Sequence, residues 1–494
     1  MSIVKAGWLL LIIIIIIAQI LAYLHILPLS LGPRVVLQPW LMQRDYLIYK
    51  DIADEHSPLM YFLLLIVQPL VPNSLEAAKL TLALLIGIIA LLTLWTGYKS
   101  GGWLAGTFSV LFFALWSPIF GYGKLWHETF LAPLYLLILW RVPTLSRPNV
   151  CSSFVGGLLC GIALLTKQHA IVVALGFILW RSFTSWRNHC PIRYLLTESL
   201  LFLTGISLPT LTFTIYYWYQ TGTLKDLVFW LIVFNFINRY TQLASLWPSS
   251  DQIRVLAPAY VLLLPFITNL LGQRCQKDIH KAQEELGLVL LVSSSLTIYP
   301  RFGFFHLQTS LPILAWLSGT TLARLAKTRC GDSIPGQASP LLRGLACSFV
   351  LLWVFYAGMP YYKALFSKQP RKIYEYSDLV PLANEIRQHI GPVDCIYILP
   401  DDEATANLYY LTQCQPPKPW VPTSYPWFMI DAVKPRIVRT LEETSPKWVI
   451  YFPGRWGIEQ HGQELLTYVQ SNYQLEAKMS WAEGEVWLLK RTSP

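Results

Sequence analysis

The sequence has 494 residues, 54% of them hydrophobic and only 13% charged. Soluble chains carry about a quarter charged residues, so an ordinary soluble enzyme is excluded and a polytopic membrane protein is expected. Twenty tryptophans suit the two membrane interfaces, and a net charge of +10 dispersed without a basic run argues against nucleic acid as a partner.

In chain order, residues 8–27 predict the first span. Lys5 before it mimics a signal peptide, but the apolar run is too long and no small-residue cleavage site follows, so it reads as an uncleaved helix. Residues 28–57 read as an opening loop. Residues 58–71 are apolar but short and bracketed by Pro58 and Pro72, which favours an interfacial or re-entrant helix. Spans follow at 75–97, 103–118, 129–141, 153–167, 169–183, 194–218, 255–272, 285–300, 307–323 and 341–360. The expectation is about 11 transmembrane helices in residues 1–360, with a first outer loop over 28–74.

Short-loop bases such as Lys5, Lys99, Arg181, Arg187, Arg274 and Arg324 place the N-terminus in the cytoplasm. The segment 361–494 then lies outside the membrane. There DCIYILP and KWVIYFP read as buried strands, QLEAKMSW and GEVWLLKR as a hairpin, and LVPLANEIRQHI and GQELLTYVQSNY as helices. A small α/β domain is expected. Asp401, Asp402 and Glu403 after its first strand read as a solvated loop ahead of a site.

Eight cysteines show neither CxxC nor metal-ligand spacing. Cys151, Cys190, Cys275 and Cys330 read as free thiols in inner loops, and Cys160 and Cys347 as core residues. For Cys395 and Cys414 in the outer domain a disulfide and two thiols are equally open.

The stretch richest in chemistry is Tyr49-Lys50-Asp51-Ile52-Ala53-Asp54-Glu55-His56-Ser57-Pro58. Ionisable groups at a membrane boundary are costly and mark a functional site. The topology places this stretch, Asp45, Lys124, His127, Glu128, Lys167, Arg239, Arg301 and His306 on one outer face. Acids there suit proton transfer, and lysine and arginine suit a phosphate. Each has a plainer reading as well. Lys124 and Arg239 fit snorkelling side chains, His306 a histidine at a helix end, and Asp54 and Glu55 solvated loop charges. Asp51, His56 and Glu128 are a weaker metal-site alternative, and no metal or cofactor is expected.

YKDIADEHSPLMY resembles the YRDF-x-x-HxPP-x-x-Y signature of the GT-C membrane glycosyltransferases, in the bacterial protein mannosyltransferase and lipid A aminoarabinose transferase group. The acid after SPIFGYGKLWHE, the span end GLLCGIALLTKQHAIVVAL and YPRFGFFHLQTSLPILAWLSG are similar to further positions of that family, in order, over residues 8–325. The resemblance implies a membrane enzyme that moves a sugar from a polyprenyl-phosphate donor to an acceptor on the outer face of a bacterial plasma membrane, with inversion. It implies Asp51, then Asp54, as base, and Glu128 beside the acceptor. Lys167, Arg301 and His306 fall on the donor phosphate. Asp45, Glu55, His56, Lys124, His127 and Arg239 are supporting residues. One departure stands out: Gly32-Pro33 and then Arg34 occupy the place of the family's Asp-Glu pair. Either a downstream acid (Asp45, Asp51 or Asp54) takes over, or activity is lost. A transporter or flippase of lipid-linked sugars and a non-catalytic scaffold are the other readings. The acceptor class (lipid, protein or polysaccharide) stays open, and membrane lipid is an expected partner.

Overall fold

A computed structural model describes residues 3–25, 32–71, 73–140, 150–237, 247–261, 263–264, 266–267, 279–298, 302–327, 359, 377–391, 394–402, 404–423 and 427–492. The chain divides into two compact units. The first takes in Met1–Leu27, Leu82–Phe213 and Ala244–Arg371, and the second Pro28–Thr81, Thr214–Leu243 and Lys372–Pro494.

The first unit is helical. Its described helices include Ile3–His25, Trp103–Trp116, His127–Leu139, Val150–Thr166, Ala170–Arg187, Ile279–Ser295 and Leu311–Lys327. Among the described residues, two helices, Ser74–Gly101 and Ile192–Thr221, are long and apolar enough to cross a membrane. At 1.5 Å per residue they measure about 42 and 45 Å. Only 11% of the apolar window of Ile192–Thr221 is buried. Leu200, Leu208 and Leu211 stand exposed along it, a pattern that suits lipid and not water.

Helices overlap the expected spans from 8–27 through 307–323, while 341–360, apart from residue 359, lies outside the described residues. One expectation is corrected: the opening stretch is not all loop, because Pro33–Met42 is a helix. Proline at the first helical position has its backbone angle already set and lacks an N–H that would have had no partner there.

Helices of the first unit approach closely where glycine replaces a side chain. A Cβ on Gly157 would lie 2.0 Å from the Phe202 carbonyl oxygen, and one on Gly205 would lie 2.3 Å from that of Phe154. The obstacle is backbone, so it does not yield. Bases expected to set orientation also fasten neighbouring helices. Arg181 donates two hydrogen bonds to Glu198 at 2.7 and 2.8 Å. Arg187 donates two to Glu285 at 2.9 and 3.0 Å, and Arg324 pairs with Glu284.

The second unit contains a four-stranded sheet in the order β1-β2-β4-β3: β1 Ile396–Leu399, β2 Trp448–Tyr451, β3 Tyr473–Trp481 and β4 Gly484–Arg491. β1 and β2 are parallel, and the β3–β4 hairpin continues the sheet antiparallel to β2. Both parallel strands are buried along their whole length, which is why they read as unbroken apolar runs. Parallel neighbours need a crossover connection. Asn407–Thr412 and Lys434–Thr444, helices that the sequence reading did not separate, lie in it. Leu379–His389 and Gln463–Asn472 form as expected.

The core of this unit draws on residues far outside 361–494. Leu37, Trp40, Leu41, Tyr46 and Ile52 share one apolar cluster with Leu379, Ile386, Ile398, Trp448 and Ile450. The open disulfide question resolves to two thiols: Cys395 and Cys414 are free. Burial first, then the neighbouring Cys414, push the Cys395 thiol up to about 12. Cys414 is buried with Sγ 3.7 Å from the Thr412 carbonyl oxygen.

Gly157→Ala is expected to destabilise the chain by about 1–3 kcal/mol through overpacking. Gly7, with nothing within 4 Å of its built Cβ, serves as the control. Melting temperatures in detergent check this; equal values for G157A and G7A would contradict the packing described.

Candidate functional site

Two groups of buried charge stand out, one in each unit. The first lies on the loop between Pro33–Met42 and Leu59–Val67. Asp54 is its centre and is 1% exposed. Its Oδ2 accepts from Gln38 Nε2 at 2.6 Å and from the Tyr61 hydroxyl at 2.7 Å. Its Oδ1 accepts the His56 backbone N–H at 2.7 Å and lies 3.1 Å from His56 Nδ1. Arg34 Nη1 is 3.6 Å from Asp54, Nη2 donates to Glu55 at 2.7 Å, and the guanidinium also meets the His56 ring. Burial alone would raise the Asp54 pKa. The Arg34 charge, with hydrogen bonds from His56 and Tyr61, outweighs it and holds this carboxyl well below the usual carboxylate range.

The same loop is strapped from outside. Trp420 N donates to the Asp51 carbonyl at 2.7 Å, and Ala53 N donates to the Trp420 carbonyl at 2.9 Å. The Trp420 indole donates to Asp401 Oδ2 at 2.7 Å. Tyr46 donates to the Pro416 carbonyl at 2.5 Å, and Lys418 to the Asp45 carbonyl at 2.9 Å. Asp51 is half-buried, its Oδ2 accepting the Leu47 N–H at 2.9 Å. Asp45 is exposed and outside the cluster.

The second group belongs to the first unit. Glu128 follows the start of His127–Leu139, Lys167 follows the end of Val150–Thr166, and His306 sits in the 3-10 turn Phe304–Leu307. Lys167 pairs with Glu128 and lies 3.5 Å from His306 Nδ1, which is 2.6 Å from Glu128 Oε1. All three are buried. Gln308 Nε2 donates to the Gly121 and Lys124 carbonyls, and Thr129 Oγ1 donates to Gln308 Oε1, so the two stretches carrying Glu128 and His306 are tied together. Lys124 is turned to aromatic faces, 4.8 Å from the Trp126 ring centre and 4.7 Å from that of Phe305. His127 is buried at an edge-on contact with Trp126. Arg239 and Arg301 lie outside the described residues.

Of the two readings of Asp54 and Glu55, the plainer one, solvated loop charges, falls, because Arg34 draws both inside. Asp401 and Asp402 are also buried, while Glu403 lies outside the described residues. Asp402 accepts from the N–H groups of Ala404 and Thr405 and from Arg455 Nε at 2.5 Å. Asp401 accepts from Trp420 and Thr423. The sequence reading also missed Arg34, Gln38, Tyr61 and Trp420. A signal for the first two was present: proline at a helix start, followed by Val35, Val36, Trp40 and Leu41 at helical spacing.

Asp54, Glu55 and His56 each offer a ligand atom within 4.8 Å of the others, a set chemically able to hold a divalent cation. Arg34 already supplies positive charge to all three. A metal would have to displace it, so the group as arranged does not fit one.

Burial raises the Asp401 carboxyl to about 7 despite hydrogen bonds from Thr423 and Trp420. Its folded pKa lies above the ordinary value of 3.8, so its stabilising share is full below about pH 4 and is lost as pH rises through about 7. Asp401→Asn is therefore expected to flatten the fall in melting temperature between pH 5 and 8; an unchanged slope would contradict the burial argument.

No protein-family model and no curated protein matches the sequence. Solved structures do match. ArnT (lipid A aminoarabinose transferase) from Cupriavidus metallidurans bound to undecaprenyl phosphate has a TM-score of 0.63 at 13% identity, covering 99% of this chain and 98% of that one. The apo form of that protein has a TM-score of 0.62 at 13% identity, over 98% of each chain. The oligosaccharyltransferase AglB from Archaeoglobus fulgidus, in complex with an inhibitory peptide and a dolichol-phosphate, has a TM-score of 0.52 at 10% identity, over 100% of this chain and 75% of that one. The chain therefore has the GT-C fold shared by these two lipid-linked sugar transferases.

Proposed function

We propose that the chain is an inverting glycosyltransferase that moves a sugar from a polyprenyl-phosphate donor to an acceptor on the outer face of a bacterial plasma membrane. The observation that carries this reading is the buried Glu128–Lys167–His306 group in a GT-C fold. Buried ionisable groups in a membrane unit are costly and are kept for function. Lys167, paired with Glu128 and beside His306, places an ammonium and an imidazole where a phosphate oxygen of a polyprenyl-phosphate sugar could be held. The same reading carries the expected topology of about 11 spans, a cytoplasmic N-terminus and an outer C-terminal domain over residues 361–494.

In the reaction the acceptor O–H or N–H attacks the anomeric carbon from the face opposite the phosphate. The new bond to the sugar forms as the bond to the phosphate oxygen breaks, and the polyprenyl phosphate leaves with both electrons. The acceptor proton passes to a loop carboxylate. Asp51 suits this better than Asp54. A base works best with a pKa near the working pH; Asp54 is held far below it and all but sealed from solvent. Asp51 is half-buried, with one oxygen on Leu47 N–H. Asp54 then organises Arg34, His56 and Tyr61. Lys167, Arg301 and His306 act on the leaving phosphate, and Glu128 holds Lys167.

The test uses the purified chain in proteoliposomes supplied with a polyprenyl-phosphate hexose. Asp51→Asn is expected to lower polyprenyl-phosphate release at least about 100-fold with undecaprenyl-phosphate binding intact. Lys167→Ala is expected to weaken that binding at least tenfold. Full turnover in D51N removes the base assignment, and undiminished binding in K167A removes the phosphate site.

A further inference from the structure

The second unit contains a cavity of about 250 Å³, room for a headgroup but below the usual range for a drug-sized ligand. Its wall is polar. Gln43, Gln68, Asn73 and Gln413 present amides, Arg44 is the one charged residue of the lining, and no carboxylate lies opposite it. Arg44 is held in place without being neutralised. Its Nη1 donates to the Trp40 carbonyl at 3.2 Å, its guanidinium stacks 4.0 Å over the Trp40 ring, and it has no ion-pair partner among the described residues. Gln68 is 6% exposed. Its Nε2 donates to Ser74 Oγ at 2.7 Å, and its Oε1 is buried with no hydrogen-bond partner among the described residues.

These features specify a ligand. One uncompensated guanidinium matches one negative charge, and its planar fork suits a phosphate diester. The diester's oxygens cannot satisfy Gln68 Oε1, because both only accept. An acceptor left alone in a buried wall costs free energy, and a hydroxyl of the ligand would donate to it. The surroundings add a third requirement. Leu63, Ile66 and Leu70 recur at helical spacing along Leu59–Val67 and the turn Gln68–Leu70, and they are 36%, 69% and 75% exposed. Leu70 lies between Gln68 and Val71, both of which line the cavity. A polar wall beside bare apolar side chains fits an amphiphile, with its headgroup in the cavity and its acyl chains along the leucines.

We propose that this cavity binds an anionic membrane lipid whose headgroup carries hydroxyls, of the phosphatidylglycerol type. Arg44 holds the phosphodiester, and Gln68 Oε1 accepts from a glycerol hydroxyl. The binding does not rest on the transferase reading. The full-length chain, in a polyoxyethylene detergent that carries no sugar, would be titrated with dioleoyl lipids and read by native mass spectrometry. Phosphatidylglycerol is compared with phosphatidylethanol, which keeps the charge and lacks the hydroxyls. It is also compared with monogalactosyl diacylglycerol, which keeps hydroxyls and lacks the charge. Phosphatidylglycerol should bind at least about tenfold tighter than either, the scale of one hydrogen bond lost with its buried partner left unpaired. Gln68→Leu should erase the preference over phosphatidylethanol, and Arg44→Gln the preference over the galactolipid, with undecaprenyl-phosphate binding and melting temperature unchanged. Should Q68L not fold, R44Q, at a partly exposed side chain, carries the test by itself. Phosphatidylglycerol binding no tighter than phosphatidylethanol, or no tighter than the galactolipid, overturns the proposal. So does survival of either preference in its folded variant.

Discussion

A charge withdrawn from water must meet its counter-charge where it is withdrawn, and the arrangement around Arg34 follows from that constraint. One guanidinium is shared between Asp54 and Glu55 and lies against the His56 ring. Without it, two adjacent carboxyl groups would be buried with no cation between them. Gln38 and Tyr61 complete the hydrogen bonding, and both come from the helices that flank the loop. The loop's shape is thus set electrostatically from within.

Packing sets it from without. Ile52 lies in the apolar core of the second unit, and Trp420 clamps the backbone on both sides of it. The indole of Trp420 in turn ends on Asp401, a buried carboxyl poised near neutrality. A segment that reads as an opening loop is therefore a packed and hydrogen-bonded part of a folded lobe. Support of this kind suits a catalytic group, whose value depends on position within fractions of an ångström. Lys167 in the first unit shows the same economy, with one carboxylate and one imidazole as immediate neighbours.

Much of this was legible in the sequence. Apolar runs located the helices because a membrane-facing segment has few other compositions open to it. The strands of the second unit were legible because parallel strands buried on both faces are continuous apolar stretches. The Asp54–His56 stretch and Lys167 stood out because charge next to an apolar run is improbable without a use. The helix Pro33–Met42 was less legible, because Gly32 offers no side-chain cap at its start and Pro39 lies inside it.

Local pattern by itself determined the membrane class, the sheet elements and the list of charged candidates, since each depends on neighbours a few positions away. It did not determine which acids are buried. Asp54 depends on Arg34, 20 positions earlier, and Asp401 on Trp420 and Thr423. Nor did it show that Ile52 shares a core with Ile398 and Ile450. Only the tertiary structure decided these, because Coulomb energy and burial depend on distance in space and not on separation along the chain.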